Sequence, residues 1–192
     1  KMKWSVSEEP YQNLRIFTLN QNDQTPIVIY IHGGAYTGEI GVLSWMFIDQ
    51  LIKKSGCEVR AIVYPLAPWH TFEESYSSIT DYYADLKRDP PNRPILLCGD
   101  STGGCLALGI AIHIVQKGLD APNGLILLSP WVDAAENNPD IPPYEKADPL
   151  LATGPLRASA KSWAGDHPLT DWHVPPVNGD LPGLKNVNIF VG

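Results

Sequence analysis

Gly99-Asp100-Ser101-Thr102-Gly103 fits the pattern G-x-S-x-G. A serine hydroxyl becomes a useful nucleophile when a tight turn lifts it clear of neighbouring backbone and a base takes its proton. Glycines at 99 and 103 remove side chains that would collide in such a turn, and Gly104 widens the clearance. A helix starting near Thr102 would set its positive end beside the hydroxyl, where negative charge is favoured. A second stretch, His32-Gly33-Gly34-Ala35-Tyr36, follows an apolar run. Paired glycines let backbone approach closely and aim N–H groups at one point. Attack on an acyl carbon builds charge on an oxygen and calls for such donors. Together these residues suit nucleophilic acyl transfer, with Ser101 as nucleophile and the N–H groups of Gly33, Gly34 and Thr102 around the oxyanion. Either stretch alone also reads as an ordinary glycine-rich loop.

A base is harder to find. His32 ends a core strand and His113 sits on an apolar helix, so both are expected to be structural. Asp166-His167 and Asp171-x-His173 put acids beside histidines late in the chain. Geometry to the nucleophile has to come before any such role. Cys98 and Cys105 flank the serine turn and are expected to be small core hydrophobes. With Cys57 they make an odd count in no metal-ligand spacing, so neither a disulfide framework nor a metal site is expected, and no cofactor is called for.

The elements that must carry these residues form an alternating series. Five mostly continuous apolar runs read as strands buried on both faces of a parallel sheet: 27–31, 59–64, 95–98, 125–128 and 187–191. Residues 14–19 alternate and are followed by the polar 21–24, which suggests an antiparallel hairpin at the sheet edge. Helices are expected over 42–54, with Gly56 as cap, over 102–117, and from Phe72 with an apolar stripe at 72, 76, 79, 83 and 86. Thr71 and Glu74 suit that helix's start, and Asp89-Pro90-Pro91 its end. The expectation is one α/β domain over 1–192 with right-handed crossovers. After Pro130 the rhythm fails, and ten of the 18 prolines lie between Pro130 and Pro182. The stretch 137–185 is therefore expected to be a lid leaving the carboxyl end of a strand, with Tyr36, Trp131, Trp163 and Trp172 as pocket or lid residues.

Composition removes other classes. Apolar residues at 44% against 18% charged exclude a disordered chain. A net charge of −7 without a basic cluster argues against nucleic acid. The longest apolar run, 105–115, is interrupted by His113 and falls short of the roughly 18–20 residues of a membrane span. The start lacks the apolar stretch of a secretory signal, and the cysteine usage suits a reducing, cytoplasmic setting.

The two glycine motifs, with Tyr64-Pro65-Leu66-Ala67-Pro68 and Ser129-Pro130-Trp131-Val132-Asp133 in the same order, resemble the hormone-sensitive-lipase-like serine esterases of the α/β-hydrolase superfamily. The resemblance runs from about residue 26 to the end. It implies an α/β-hydrolase fold with a mostly parallel sheet. It also implies hydrolysis of small carboxylic esters with short acyl groups through an acyl-enzyme on Ser101, with the oxyanion loop at Gly33 and Gly34 and the third donor at Thr102. Ala35 stands where the family has a third glycine, Pro65 replaces an arginine, and Trp69 replaces an acid. The N-terminal cap segment of many members is expected to be missing. Asp148-Pro149-Leu150 looks like the segment around the family's acid, yet it precedes the expected strand. In the family the acid follows the strand corresponding to 187–191 and the histidine follows the next one, so both are expected beyond Gly192 along with the last strand–helix portion. On that expectation the 192 residues are a poor esterase with an exposed apolar edge at 187–191, open to homo-oligomers. The alternative is a non-catalytic binding protein that keeps the pocket and has lost the base.

Overall fold

The computed structural model describes residues 3–88, 93–136, 138–149, 151–181 and 183–191. In chain order the elements are β1 (Val6–Tyr11), β2 (Leu14–Leu19), β3 (Ile27–Ile31), α1 (Val42–Ser55), β4 (Glu58–Val63), α2 (Phe72–Arg88), β5 (Ile95–Asp100), α3 (Thr102–Gln116), β6 (Gly124–Leu128), α4 (Ile141–Glu145), α5 (Thr153–Ala164), a 3₁₀ turn (Pro176–Asn178) and β7 (Val187–Phe190). The strands form one sheet in the order β1-β2-β4-β3-β5-β6-β7. Neighbours from β4 to β7 run parallel, while β1–β2 and β2–β4 are antiparallel.

The continuous apolar runs become interior strands because helices cover both faces. β3 is buried at all five residues. On one face α2 and α3 pack with Ile29, Ile31, Ile62 and Leu97. On the other, Ile48 and Ile52 of α1 pack with Val28, Tyr30, Val59 and Cys98. The stripe of α2 buries Phe72, Tyr76, Ile79 and Tyr83, with Glu73 and Glu74 in its first turn and Lys87 and Arg88 in its last, matching the helix dipole. Its expected stop at Asp89-Pro90-Pro91 lies outside the described residues. Gly56 caps α1 at φ 70°, its N–H reaching Ile52 O at 2.8 Å. Helix α3, nearly all apolar in sequence, is nearly all buried.

The edge hairpin differs from expectation. β2 does pair antiparallel, but with β1 before it and β4 beyond it. The polar 21–24 segment leads instead to β3, on the far side of β4. The backbone N–H of Asn22 donates to Glu58 Oε2 at 3.0 Å, tying this connection to the start of β4. β1 escapes a hydrophobicity reading because its residues, VSEEPY, lie exposed or half-exposed along the edge, where Glu8, Glu9 and Pro10 discourage further strand pairing. The four residues of β7, at the opposite edge, are all exposed.

Between β6 and β7 the βα alternation stops, and α4, α5 and the 3₁₀ turn fill the gap. Helix α5 buries Ala160, Trp163 and Ala164 in the same core as α2 and α3.

Candidate active site

β5 delivers Ser101 to the sheet's carboxyl edge and α3 leaves immediately after it. Ser101 has φ 51° and ψ −122°, a strained geometry for a residue with a side chain. Its backbone is held from three directions: its N–H donates to Leu128 O at 2.9 Å, and its carbonyl accepts from Cys105 N at 3.1 Å and Trp131 N at 3.0 Å. The glycines on either side are required by contact. A Cβ on Gly99 would sit 2.3 Å from Gly103 O, and one on Gly103 would sit 2.1 Å from Ile31 O. The side chain of Ser101 is half-buried.

β3 brings the second motif alongside, since Ile31 pairs with Gly99 in parallel register. A Cβ on Gly33 would come within 3.1 Å of Ser101 Cβ. The loop then runs through three consecutive positive φ values: Gly34 at 125°, Ala35 at 52° and Tyr36 at 61°. Tyr36 is 1% exposed and its ring stacks on Trp163 at 4.6 Å, and Ala67 N donates to its carbonyl at 2.9 Å.

The donors differ in one respect from the sequence expectation. Gly33 N–H is already engaged, donating to Asp100 Oδ1 at 3.1 Å. The N–H groups of Gly34, Ala35 and Thr102 have no acceptor among the described residues. Ala35 was not among the expected donors, although its backbone N–H can donate as a glycine's does.

The histidines divide by location. His32 is fully buried, stacked on Tyr64 at 4.6 Å, with Nδ1 2.7 Å from Gly33 O. Burial pushes its pKa below the ordinary imidazole value. His167 and His173 share one carboxylate: Asp171 Oδ2 lies 2.9 Å from His167 Nδ1 and Oδ1 lies 2.7 Å from His173 Nδ1. His167 thus pairs with Asp171 rather than with its neighbour Asp166, and its Nε2 lies 3.4 Å from Glu73. His173 stacks on Trp172 at 3.7 Å and sits 6.0 Å from the ring of His113. His113 is eleven residues along α3 from Thr102, about 16 Å on the helix axis. The cluster reaches the far end of α3 only at His113, and its three histidines line, with Phe72, Tyr76 and Lys117, a cavity of about 560 Å³. His113 is pushed down by burial, then by Lys117 and His173. Asp148 accepts from Leu151 N at 3.0 Å and lines a different, mostly apolar cavity of about 350 Å³ with Trp131, Ile141, Tyr144 and Leu156. Among the described residues no hydrogen bond joins any histidine to Ser101.

The thiols Cys98 and Cys105 are buried, and burial pushes both up to about 12, which withholds the reactive thiolate. Among the described residues no three His, Cys, Asp or Glu side chains gather to hold a metal ion, and no helix is long and apolar enough to cross a membrane.

A serine on a strained strand–helix turn beside a glycine loop at the carboxyl edge of a parallel sheet is a family-level arrangement, and residues 28–192 match the family model described as alpha/beta hydrolase fold. The chain belongs to this α/β-hydrolase family. Among its relatives, an esterase of Acinetobacter venetianus is 33% identical over 175 residues, covering 90% of this chain and 57% of that protein. Hormone-sensitive lipase of Mus musculus is 24% identical, covering 83% of this chain and 22% of that protein. A solved structure from Staphylococcus aureus superposes with a TM-score of 0.91 at 27% identity, covering 98% of this chain and 65% of that one. A hormone-sensitive-lipase homologue from a metagenome library shares the fold at a TM-score of 0.89 and 23% identity. The chain thus spans little more than half the length of the first of these relatives.

Proposed function

We propose that the protein is a serine hydrolase that cleaves small carboxylic esters with short acyl groups. Ser101 Oγ attacks the acyl carbon, and the carbonyl oxygen takes up negative charge. Gly34, Ala35 and Thr102 N–H groups hold that charge, with Ala35 in place of Gly33. The resulting tetrahedral species expels the alcohol and leaves an acyl group on Ser101, which water then removes. The serine proton must pass to a base and on to the leaving alcohol, and among the described residues no histidine is hydrogen-bonded to Ser101. The observation that carries the reading is the strained Ser101 beside three backbone N–H groups that lack acceptors among the described residues. Strain and unsatisfied donors persist where a ligand completes them. The relatives' printed names, esterase and hormone-sensitive lipase, agree with it.

The stretch 137–185 is proposed as the lid of this site. Trp131, which joins Tyr36 at 6.0 Å and lines the apolar cavity, is its pocket residue. Trp163 and Trp172 are packing residues. A fluorophosphonate probe followed by peptide mapping tests the nucleophile: modification of the full-length protein at Ser101, with loss of p-nitrophenyl acetate hydrolysis, is expected. Modification at another residue refutes the assignment. The second reading, a non-catalytic binding protein, draws on the absence of any histidine bonded to Ser101 among the described residues. It predicts that the full-length protein binds esters without turning them over.

A further inference from the structure

We infer that Tyr30 is a positioning residue that acts through Asp100 to hold the 32–38 loop against the nucleophile turn. The inference rests on the ester-hydrolase reading and adds to it a restraint that lies outside the reacting groups. Tyr30 is 1% exposed, on β3, and its hydroxyl donates to Asp100 Oδ1 at 2.5 Å. The same carboxylate oxygen accepts the N–H of Gly33 at 3.1 Å. Asp100 is the last residue of β5 and directly precedes Ser101. One carboxylate thus links a buried phenol, the first peptide of the loop and the nucleophile's own turn.

The loop needs such a restraint. Ala35 and Tyr36 have positive φ without being glycine, and such angles last only where the surroundings over-determine them. At the far end the Trp163 stack and the Ala67 hydrogen bond hold Tyr36. At the near end the polar anchors of Gly33 are His32 Nδ1, on its carbonyl, and Asp100, on its N–H. Only the second reaches the nucleophile turn. Burial, then the bond to Asp100, raises the Tyr30 pKa, so the phenol stays a donor throughout the working pH range. A bond from a neutral donor to a carboxylate is stronger than one between neutral groups, and here the donor is buried. If the anchor is cut, the N–H groups of Gly34 and Ala35 drift while the substrate pocket is untouched.

Tyr30→Phe in the full-length protein tests this, because the ring and its tilt on Phe47 at 5.7 Å are kept and only the hydroxyl is lost. The expected result is a fall of about 10²-fold in kcat for p-nitrophenyl acetate, the scale of a misplaced catalytic group, with KM near the wild-type value. Amide hydrogen exchange at Gly33 should quicken, and Asp100→Asn should act in the same direction. Exchange at Gly33 needs no turnover, so the two failures separate. If the wild type hydrolyses no ester but Tyr30→Phe still frees the Gly33 amide, the restraint stands and the ester reading falls. If the wild type is an active esterase labelled at Ser101, and Tyr30→Phe changes neither kcat nor Gly33 exchange, the restraint is overturned and the ester reading stands. A kcat loss that merely tracks a fall in melting temperature also overturns it.

Discussion

Helix α3 carries two polar constellations along its length, and they are opposite in kind. At the N-terminal end Ser101 is strained and the N–H groups of Gly34, Ala35 and Thr102 find no acceptor among the described residues. Toward the C-terminal end the ring of His113 lies 6.0 Å from that of His173, which shares the Asp171 carboxylate with His167. The second cluster looks more like chemistry in sequence, with two acid–histidine pairs. Yet it satisfies itself, whereas the glycine motifs leave donors open. Buried polar groups that are paired internally hold a fold together, and those left open at a strained backbone are where an external group belongs. Damage at the two ends should therefore show up differently, as lost turnover at one and lost stability at the other.

Ser101→Ala is the sharpest cut at the first end. Turnover of short p-nitrophenyl esters by the full-length protein should fall by about 10⁶-fold, as when a serine nucleophile is removed elsewhere, with the melting temperature held or raised. Retained activity would erase the contrast. Trp163→Ala acts beside the same end, through Tyr36 and Tyr64. This residue is fully buried and stacked on Tyr36, so unfolding in urea should show a loss of about 3–5 kcal/mol. The loop at 34–36 should loosen with it.

How much of this contrast was legible in the sequence depends on distance along the chain. The strand–Ser101–helix unit is local, a continuous apolar run, spaced glycines and an apolar helix, and its elements fall at 95–100 and 102–116 as the pattern suggests. β1 was not legible because VSEEPY carries no apolar period, and the hairpin partner of β2 was consequently misread. The bond from Gly33 to Asp100 joins residues 67 apart and exists only because β3 and β5 are neighbours in the sheet. The same holds for Asp171, whose closeness to His173 is local but whose surroundings follow from how His167 and His173 pack on Phe72, Glu73 and Tyr76 of α2. Knowing the strand order, a reader of the sequence could have set Asp100 beside the glycine loop.

Two weaker effects probe the comparison further. Trp131→Ala should alter preference among acyl chain lengths by about tenfold, the scale of one or two methylenes in an apolar pocket, while stability changes less than for Trp163→Ala. Equal shifts in stability for the two variants would deny Trp131 its place in the pocket. The smallest expected change is in pH response at the histidine end. The hydrogen bond to Asp171 holds His167 above its ordinary value of 6.5, so protonation favours the folded form. That contribution is complete below 6.5 and is lost as pH rises through the raised value. Asp171 acts on the other limb. Burial alone would raise it, but the His173 N–H and the two imidazoles hold it below 3.8, so its contribution is present above 3.8 and lost as pH falls through the depressed value. His167→Gln should flatten the alkaline limb of melting temperature against pH and leave ester turnover alone. A change in turnover would carry catalysis to the wrong end of the helix.

The buried thiols have a practical consequence. Cys57 and Cys98 belong to the α1 face of the sheet and Cys105 to the α3 face, and none is disulfide-bonded. Each is shut from reagent until its own side of the sheet opens. Alkylation followed by mass spectrometry would therefore time the exposure of the two layers separately in an unlabelled, unmutated sample, and would report which layer parts first under heat or denaturant.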